Sequence, residues 1–548
     1  MKWIVVAKIP RYFKDLTLGQ TDVKSDAIVQ SAAPYARDSL AKSNVEVSCD
    51  FEPTVLNYKT VVVYVVTCLM AVTTGLVQAG RGVRELRGHD VLLSIRVAIP
   101  DFPTYVDFQF WIRPTIMLLD KIDDTFGLVY LVLTPVVLGP FIACWISPHV
   151  YEDTVHGFVK DGYEEVLEAF RRNFGEGLES QGAAVSVFHH GKLVVDLWGG
   201  YADKESNVAW KRNTRTVLFS TTKAISALCV AVLVDRGLLR YEDRVADFWP
   251  EYGSFGKENT TVEDVLSHKA GLPYLGDHIE ISDIIDFENV ERKIERAKPI
   301  WAPGSATGYH AVTFGFIVDG IIRRVDEKGR DLKTFFREEI GSQYDLSVDI
   351  GVSHNEAHRV ARVTTPTFWE FLRDCIKNPK LIPMLAIMYA RIDDIVWRIR
   401  ENTKWLIINY DTMAVNDPDI LALPIPAVTG VASAADLSKL FSLTIDGTLI
   451  KNTTLERIST PTVDNWHLEK VALWPIRKGH GFFYEINPLM PGKFIFGHPG
   501  YGCQFLVVDP WNHLSIAYVS NGLKTGTGEI CTTYMRLQRA IYSVLRTL

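Results

Sequence analysis

Hydrophobic and polar positions divide the chain into two textures. Residues 1–53 show no sustained periodicity. Thr60 to Val77 then reads TVVVYVVTCLMAVTTGLV, and the uncharged stretch runs on through Ala79. About 20 apolar residues cross a bilayer core, so 60–79 is a candidate span. Phe126 to Ser147 is a second uncharged run and a second candidate, 126–147. Pro135 and Pro140 would kink it, which membrane helices tolerate, and Trp145 suits an interfacial anchor.

From about Tyr151 the pattern becomes that of a globular domain. Val159 to Phe174 has helical spacing, with Val166, Leu167, Phe170 and Phe174 on one face. Ala183–Phe188 and Lys192–Trp198 read as strands joined by the turn His189-His190-Gly191. Leu218 to Gly237 reads as a long apolar helix stopped by glycine. Residues 365–411 read as a helical excursion rich in aromatic and aliphatic side chains, a lid, membrane-contacting surface or partner surface in prospect. Phe505–Pro510 and Leu514–Asn521 read as strand, turn and strand. Strands on either side of a helical middle predict an α+β fold: a central antiparallel sheet flanked by helices, plus an all-helical region. The expected divisions are 1–53, a membrane-associated region at 54–150, and a domain at 151–548.

Charge adds an orientation. Arg81, Arg84, Arg87, Arg96, Arg113 and Lys121 lie between the two apolar runs, and Glu152 and Asp153 follow the second. The positive-inside tendency puts the connecting segment in the cytosol and both termini in the lumen or exterior. The sequons at Asn259 and Asn452 fit that side. A mitochondrial location ranks second, because the N-terminus is not clearly Arg-rich and amphipathic. The net charge of −7, with no long basic run, argues against a nucleic-acid partner. Seven scattered cysteines contain no Cys-x-x-Cys pair, so neither a zinc site nor a disulfide framework is expected. A single late bridge such as Cys503–Cys531 stays open.

The chemistry starts at Ser220 and Lys223, three residues apart at the predicted helix start. That spacing puts both on one face. A serine hydroxyl is a weak nucleophile until a neighbour takes its proton, and a buried lysine with a lowered pKa can do so. Ser-x-x-Lys alone recurs by chance, but here it stands in an ordered series. Gly191-Lys192-Leu193-Val194-Val195-Asp196-Leu197-Trp198-Gly199-Gly200 precedes it. Asp235-Arg236-Gly237-Leu238-Leu239 and Thr261-Val262-Glu263-Asp264-Val265-Leu266-Ser267-His268-Lys269-Ala270-Gly271-Leu272-Pro273 follow.

From about Phe158 onward this series closely resembles the class C β-lactamase and carboxylesterase branch of the penicillin-recognising serine enzymes. That family includes D-alanyl peptidases, bacterial esterases and animal β-lactamase-like proteins. The resemblance implies a β-lactamase/transpeptidase-like fold and a serine hydrolase working through an acyl-enzyme, with Ser220 as nucleophile. It places Tyr309, after Pro303-Gly304, in the family's Tyr-x-Asn motif as the group that shuttles protons. The asparagine position is Ala311, which casts doubt on β-lactamase activity and favours an esterase-like pocket. His310 is expected to point away from substrate. Phe496-Gly497-His498-Pro499-Gly500-Tyr501-Gly502 stands at the Lys-Thr-Gly motif, with His498 in the lysine position and Gly500 in the glycine position. The implied oxyanion donors are the backbone N–H groups of Ser220 and Tyr501. The implied substrate is a small-molecule or lipid-like ester or amide, with no metal or organic cofactor. The rival expectation is a membrane-anchored, self-associating scaffold that keeps the fold without useful turnover.

Overall fold

The computed structural model describes residues 91–98, 105–112, 155–390, 395–406, 413–464, 469–472 and 475–547. Segment 1–53 and both candidate spans, 60–79 and 126–147, lie outside them. Among the described residues no helix is long and apolar enough to cross a membrane. The chain forms two compact units, Met1–Pro148 and His149–Leu548. The first contains an antiparallel pair, β1 (Val91–Ala98) and β2 (Tyr105–Ile112), with Val91 opposite Ile112.

The second unit opens with β3 (His156–Val159), β4 (Gly182–His189), β5 (Lys192–Asp203) and β6 (Val208–Ala209). Three short strands follow: β7 (Thr216–Val217), β8 (Val348–Ile350) and β9 (Gly430–Ala432). They form a separate antiparallel sheet in the order β7-β9-β8. The chain returns through β10 (Arg477–Gly479), β11 (Phe482–Ile486), β12 (Phe494–Gly497), β13 (Phe505–Asp509) and β14 (Leu514–Ser520). The main sheet runs β10-β11-β12-β13-β14-β4-β5-β3, with β6 attached to β5, and every pairing is antiparallel. This is the expected α+β architecture.

The central strands are apolar on both sides because both faces are covered. Side chains alternate across a strand. Ile516 and Tyr518 of β14, with Phe505 and Val507 of β13, therefore join one core, with Phe170, Phe174, Tyr534, Leu537 and Ile541. The last five lie on α1 (Glu164–Gly175) and the C-terminal helix Thr532–Thr547. Ala517, Val519, Leu506 and Val508 face the other core, with Leu437 and Phe441. There Ser438 donates to the Ser186 hydroxyl at 2.9 Å across the helix–sheet contact.

At the heart of that second core lies α2 (Thr222–Asp235), in which every residue from Thr222 to Leu233 is buried. A helix apolar all round must be enclosed. Each fully buried leucine or isoleucine in it contributes about 1.5–3 kcal/mol relative to exposure. Two boundaries differ from the sequence reading. Val159 ends a strand, and the first helix begins at Glu164. The helix expected from Leu218 opens as a 3₁₀ turn over Phe219–Thr221, because Leu218 N–H is held by Gly430 O at 2.8 Å.

The described residues of the 365–411 excursion are mostly helical: α3 (Phe368–Lys377), α4 (Leu381–Ala390) and α5 (Ile395–Asn402). A Thr367–Glu370 capping box starts α3. Asn402 anchors α5, accepting from Leu275 N–H and donating to the Leu275 and Asp277 carbonyls. Cys503 and Cys531 form a disulfide, Cα–Cα 5.8 Å, joining the loop after β12 to the segment before the C-terminal helix.

Candidate active site

Ser220 stands on a turn with backbone strain just before it. Phe219 has φ +47°, a left-handed conformation that costs an aromatic residue about 1–3 kcal/mol. Thr222 holds the turn in place: its hydroxyl donates to Phe219 O at 2.6 Å and accepts from Gly430 N–H at 2.9 Å. The result is a half-buried serine hydroxyl at the start of α2, where the helix N-terminus favours developing negative charge.

One turn further on, Lys223 is completely buried. Its Nζ lies 3.1 Å from Ser220 Oγ, 2.7 Å from Ala311 O and 3.0 Å from Ala427 O. Burial alone drives its pKa well below the usual lysine range, and among the described residues no carboxylate pairs with it. A neutral amine has two N–H donors and one lone pair. The two carbonyls can take the donors, leaving the lone pair facing Ser220. Ala311 thus serves through its carbonyl, although its side chain lacks the family amide.

The phenol of Tyr309 meets the same lysine, with Nζ 5.0 Å from the ring centre. Burial raises the pKa of Tyr309, and the hydrogen bond with Ser220 offsets this only in part. The phenol therefore enters the site as a proton donor. His268 lies against it at 4.8 Å between ring centres and accepts His310 N–H through Nδ1 at 3.1 Å. His310 is turned into the protein: Nδ1 bonds Gly308 O at 2.6 Å and Nε2 accepts Leu272 N–H at 2.9 Å. It clamps the loop rather than facing substrate.

The third segment closes the site. His498 is buried, with Nδ1 bonded to Pro499 O at 2.7 Å. A carbonyl only accepts, so Nδ1 carries the proton and Nε2 is an acceptor; Nε2 is buried with no partner among the described residues. Burial foremost holds this imidazole well below the usual histidine range, so it is neutral. A cationic donor in the family's lysine position is therefore absent here. Thr221 Oγ1 donates to His498 O at 3.1 Å, tying the segment to the nucleophile's turn. Gly500 is packed tightly against the nucleophile's turn. A Cβ there would lie 2.4 Å from Leu218 O and 2.8 Å from Thr221 Oγ1. Next to it, the Tyr501 ring is half exposed and meets Phe219 edge-on at 5.8 Å.

Ser220, Lys223, Tyr309, His498, Gly500 and Tyr501 thus come from three distant stretches of sequence to one place. Two neighbours had no signal in the sequence. Lys478 and Glu469 form a fully buried ion pair at 2.8 Å, and Lys478 also donates to Thr307 Oγ1 at 2.8 Å. They lie far from Tyr309 in sequence, and no spacing rule links them to it.

A Ser-x-x-Lys nucleophile between an antiparallel sheet and a buried helix, faced by a tyrosine and a sheet-edge loop, defines a serine acyl hydrolase of the β-lactamase type. The comparisons agree. A Beta-lactamase family model matches residues 170–540. Esterase/beta-lactamase LipL of Mycobacterium tuberculosis (strain ATCC 25618 / H37Rv) is 30% identical over 380 residues, covering 67% of this chain and 83% of that protein. A family VIII carboxylesterase structure superposes with TM-score 0.61 at 27% identity, covering 71% of this chain and 99% of that one. A penicillin-binding protein homologue from Caulobacter crescentus gives 0.59 at 30% identity, with the same two coverages. The chain belongs to the Beta-lactamase family, and it is a serine hydrolase.

Proposed function

We propose that the protein hydrolyses an uncharged carboxylic ester or amide, esters foremost, through an acyl-Ser220 intermediate. The observation that carries this is the Lys223 amine, buried between two carbonyls and Ser220 Oγ without a carboxylate. Lys223 takes the Ser220 proton as Oγ attacks the carbonyl carbon. The N–H groups of Ser220 and Tyr501 hold the oxyanion. Tyr309 gives its proton to the leaving oxygen or nitrogen and recovers one from the Lys223 ammonium. Water then enters by the reverse relay and releases the acid. Ala311 in place of an amide and a neutral His498 in place of a lysine favour esters over β-lactams. The names of the relatives, esterase/beta-lactamase and carboxylesterase, support the same class, and the scaffold reading is not favoured.

The reading also places this domain on the lumenal or exterior side of a membrane. The Cys503–Cys531 disulfide supports an oxidising compartment, and both sequon asparagines, Asn259 and Asn452, are exposed. The test of function is fluorophosphonate labelling beside turnover of p-nitrophenyl esters and a chromogenic β-lactam. Wild-type protein should label and prefer the esters, and Ser220→Ala should do neither. Equal labelling of the two proteins sinks the hydrolase reading, and β-lactam preference sinks the ester assignment.

A further inference from the structure

The buried pair Lys478–Glu469 grips the loop that carries Tyr309. Lys478 Nζ donates to Thr307 Oγ1 at 2.8 Å, and the Thr307 hydroxyl passes a bond to Ser267 O at 3.2 Å. Lys470 N–H donates to Thr307 O at 3.1 Å. The second Glu469 oxygen accepts Val471 N–H at 2.7 Å and also Ala472 N–H. Gly308, between Thr307 and Tyr309, has no room to shift: a Cβ there would lie 2.4 Å from the Trp301 ring and 3.2 Å from Lys470 Cβ. The loop is therefore held through its side chain and its backbone together.

Stability is a poor reason for such a pair. Desolvating both ions costs several kcal/mol each, and an apolar replacement of similar volume is often neutral or better. What an apolar pair could not provide is fixed charge behind the site. Lys478 Nζ lies 5.9 Å from the Phe483 ring, which stacks on His498 at 4.4 Å and meets Tyr309 edge-on at 5.8 Å.

We propose that Lys478, anchored by Glu469 and Thr307, is a positioning residue for the acyl-transfer chemistry: it fixes Tyr309 through its loop and sets the charge of the pocket behind His498. The proposal rests on the role given to Tyr309 above. His498 faces Lys223 from α2, Lys478 from β10, the Pro499 carbonyl, Tyr309 from its loop and Phe483 from β11. The Lys478 charge disfavours its protonation, and the carbonyl favours it. Tyr309 faces Ser220, Lys223, His268, His498 and Glu469, and Glu469 makes it harder to ionise. Removing the Lys478 charge leaves Glu469 uncompensated. His498 then protonates more readily, and Tyr309 ionises less readily. Removing the Glu469 charge does the opposite.

The test uses the full-length protein with Lys478→Met, Lys478→Arg, Glu469→Gln and the Lys478→Met/Glu469→Gln double variant. Readouts are kcat and KM for a p-nitrophenyl ester across pH, with the His498 imidazole followed by NMR and identified by its loss in His498→Asn. In Lys478→Met we expect kcat to fall about 10- to 100-fold, the scale of an ångström-sized displacement, with KM within about threefold. The His498 titration should move up in pH. Lys478→Arg and the double variant should keep the wild-type titration, and Glu469→Gln should not move it up. An unmoved His498 titration in Lys478→Met overturns the proposal whatever the loss of rate. If that variant does not fold, an upward shift in Glu469→Gln or in Lys478→Arg overturns it instead. Fluorophosphonate labelling separates the two levels, because a wild type that takes no label defeats the hydrolase reading and not this one alone.

Discussion

Replacing Gly500 with alanine should force the oxyanion loop away from the nucleophile. The new Cβ would lie 2.4 Å from Leu218 O, 2.7 Å from Gln504 Cβ and 2.8 Å from Thr221 Oγ1, where real contacts do not fall below 3.0 Å. Relieving the worst clash takes at least 3.0 − 2.4 = 0.6 Å. Neither side yields easily. Leu218 N–H is bonded to Gly430 O, Gly500 N–H to Gln504 O at 2.8 Å, and Gly500 O accepts from Thr527 Oγ1 at 3.0 Å. Leu218 and Thr221 bracket Ser220, while Gly500 adjoins Tyr501, so the displacement opens the gap between the two proposed oxyanion donors. A donor moved from about 2.9 to about 3.5 Å no longer makes a useful hydrogen bond. Losing one such donor costs on the order of 10²–10³ in kcat, about 2.7–4 kcal/mol of barrier.

Overpacking should also remove about 1–3 kcal/mol of stability, so a thermal melt must accompany the rate measurement. Tyr501→Ala is the paired control. It keeps the backbone N–H and removes a half-exposed ring, so kcat should stay within about tenfold of wild type, well short of the loss of a donor. A folded Gly500→Ala enzyme with kcat within about threefold of wild type would refute the geometry argued here.

Two further outcomes follow from the same region. Burial pushes the His310 pKa down to about 3, against about 6.5 unfolded. The stabilising effect of its neutral form is complete above the unfolded value and is lost as pH falls toward the folded one. At pH 5 the loss is 1.5 units at about 1.4 kcal/mol each, or about 2 kcal/mol. His310→Asn should therefore lose less melting temperature than wild type between pH 7 and pH 5, and equal losses would sink the argument. The Cys503–Cys531 bridge closes a 28-residue separation, for which chain entropy gives about 3–4 kcal/mol. Cys531→Ser should melt several degrees lower, by a margin that reductant abolishes; no difference under oxidising conditions would mean the bridge does not constrain the unfolded chain.

Much of this site was legible because its chemistry lies in local strings. Ser220 and Lys223 share a helix face at a spacing the sequence displays, and Tyr309 and His498 stand in recognisable turns. The long-range parts were not legible. The protonation logic of the pair depends on the Ala311 and Ala427 carbonyls, 88 and 204 residues from Lys223, and a backbone carbonyl leaves no mark in a side-chain pattern. The sequence places His498 in the family's lysine position. Its tautomer is decided by Pro499 O, so it can only accept from Nε2. Phe219 in left-handed conformation could not be foreseen, since glycine is the usual occupant of that region.

The scaffold reading is weakest where the structure is most strained. Three features here each cost stability: Phe219 held at φ +47°, Lys223 desolvated with no carboxylate among the described residues, and His498 Nε2 buried with no partner among them. A fold kept only as a scaffold would be free to relax each one by substitution, since stabilising changes are commonly available to natural proteins. All three meet around one serine hydroxyl. Local rules broken together at one place mark a site whose function requires the strain. The penicillin resemblance therefore identifies the machinery. The groups that stand in the positions of the family's amide and lysine, Ala311 and the neutral His498, support the proposed uncharged substrate.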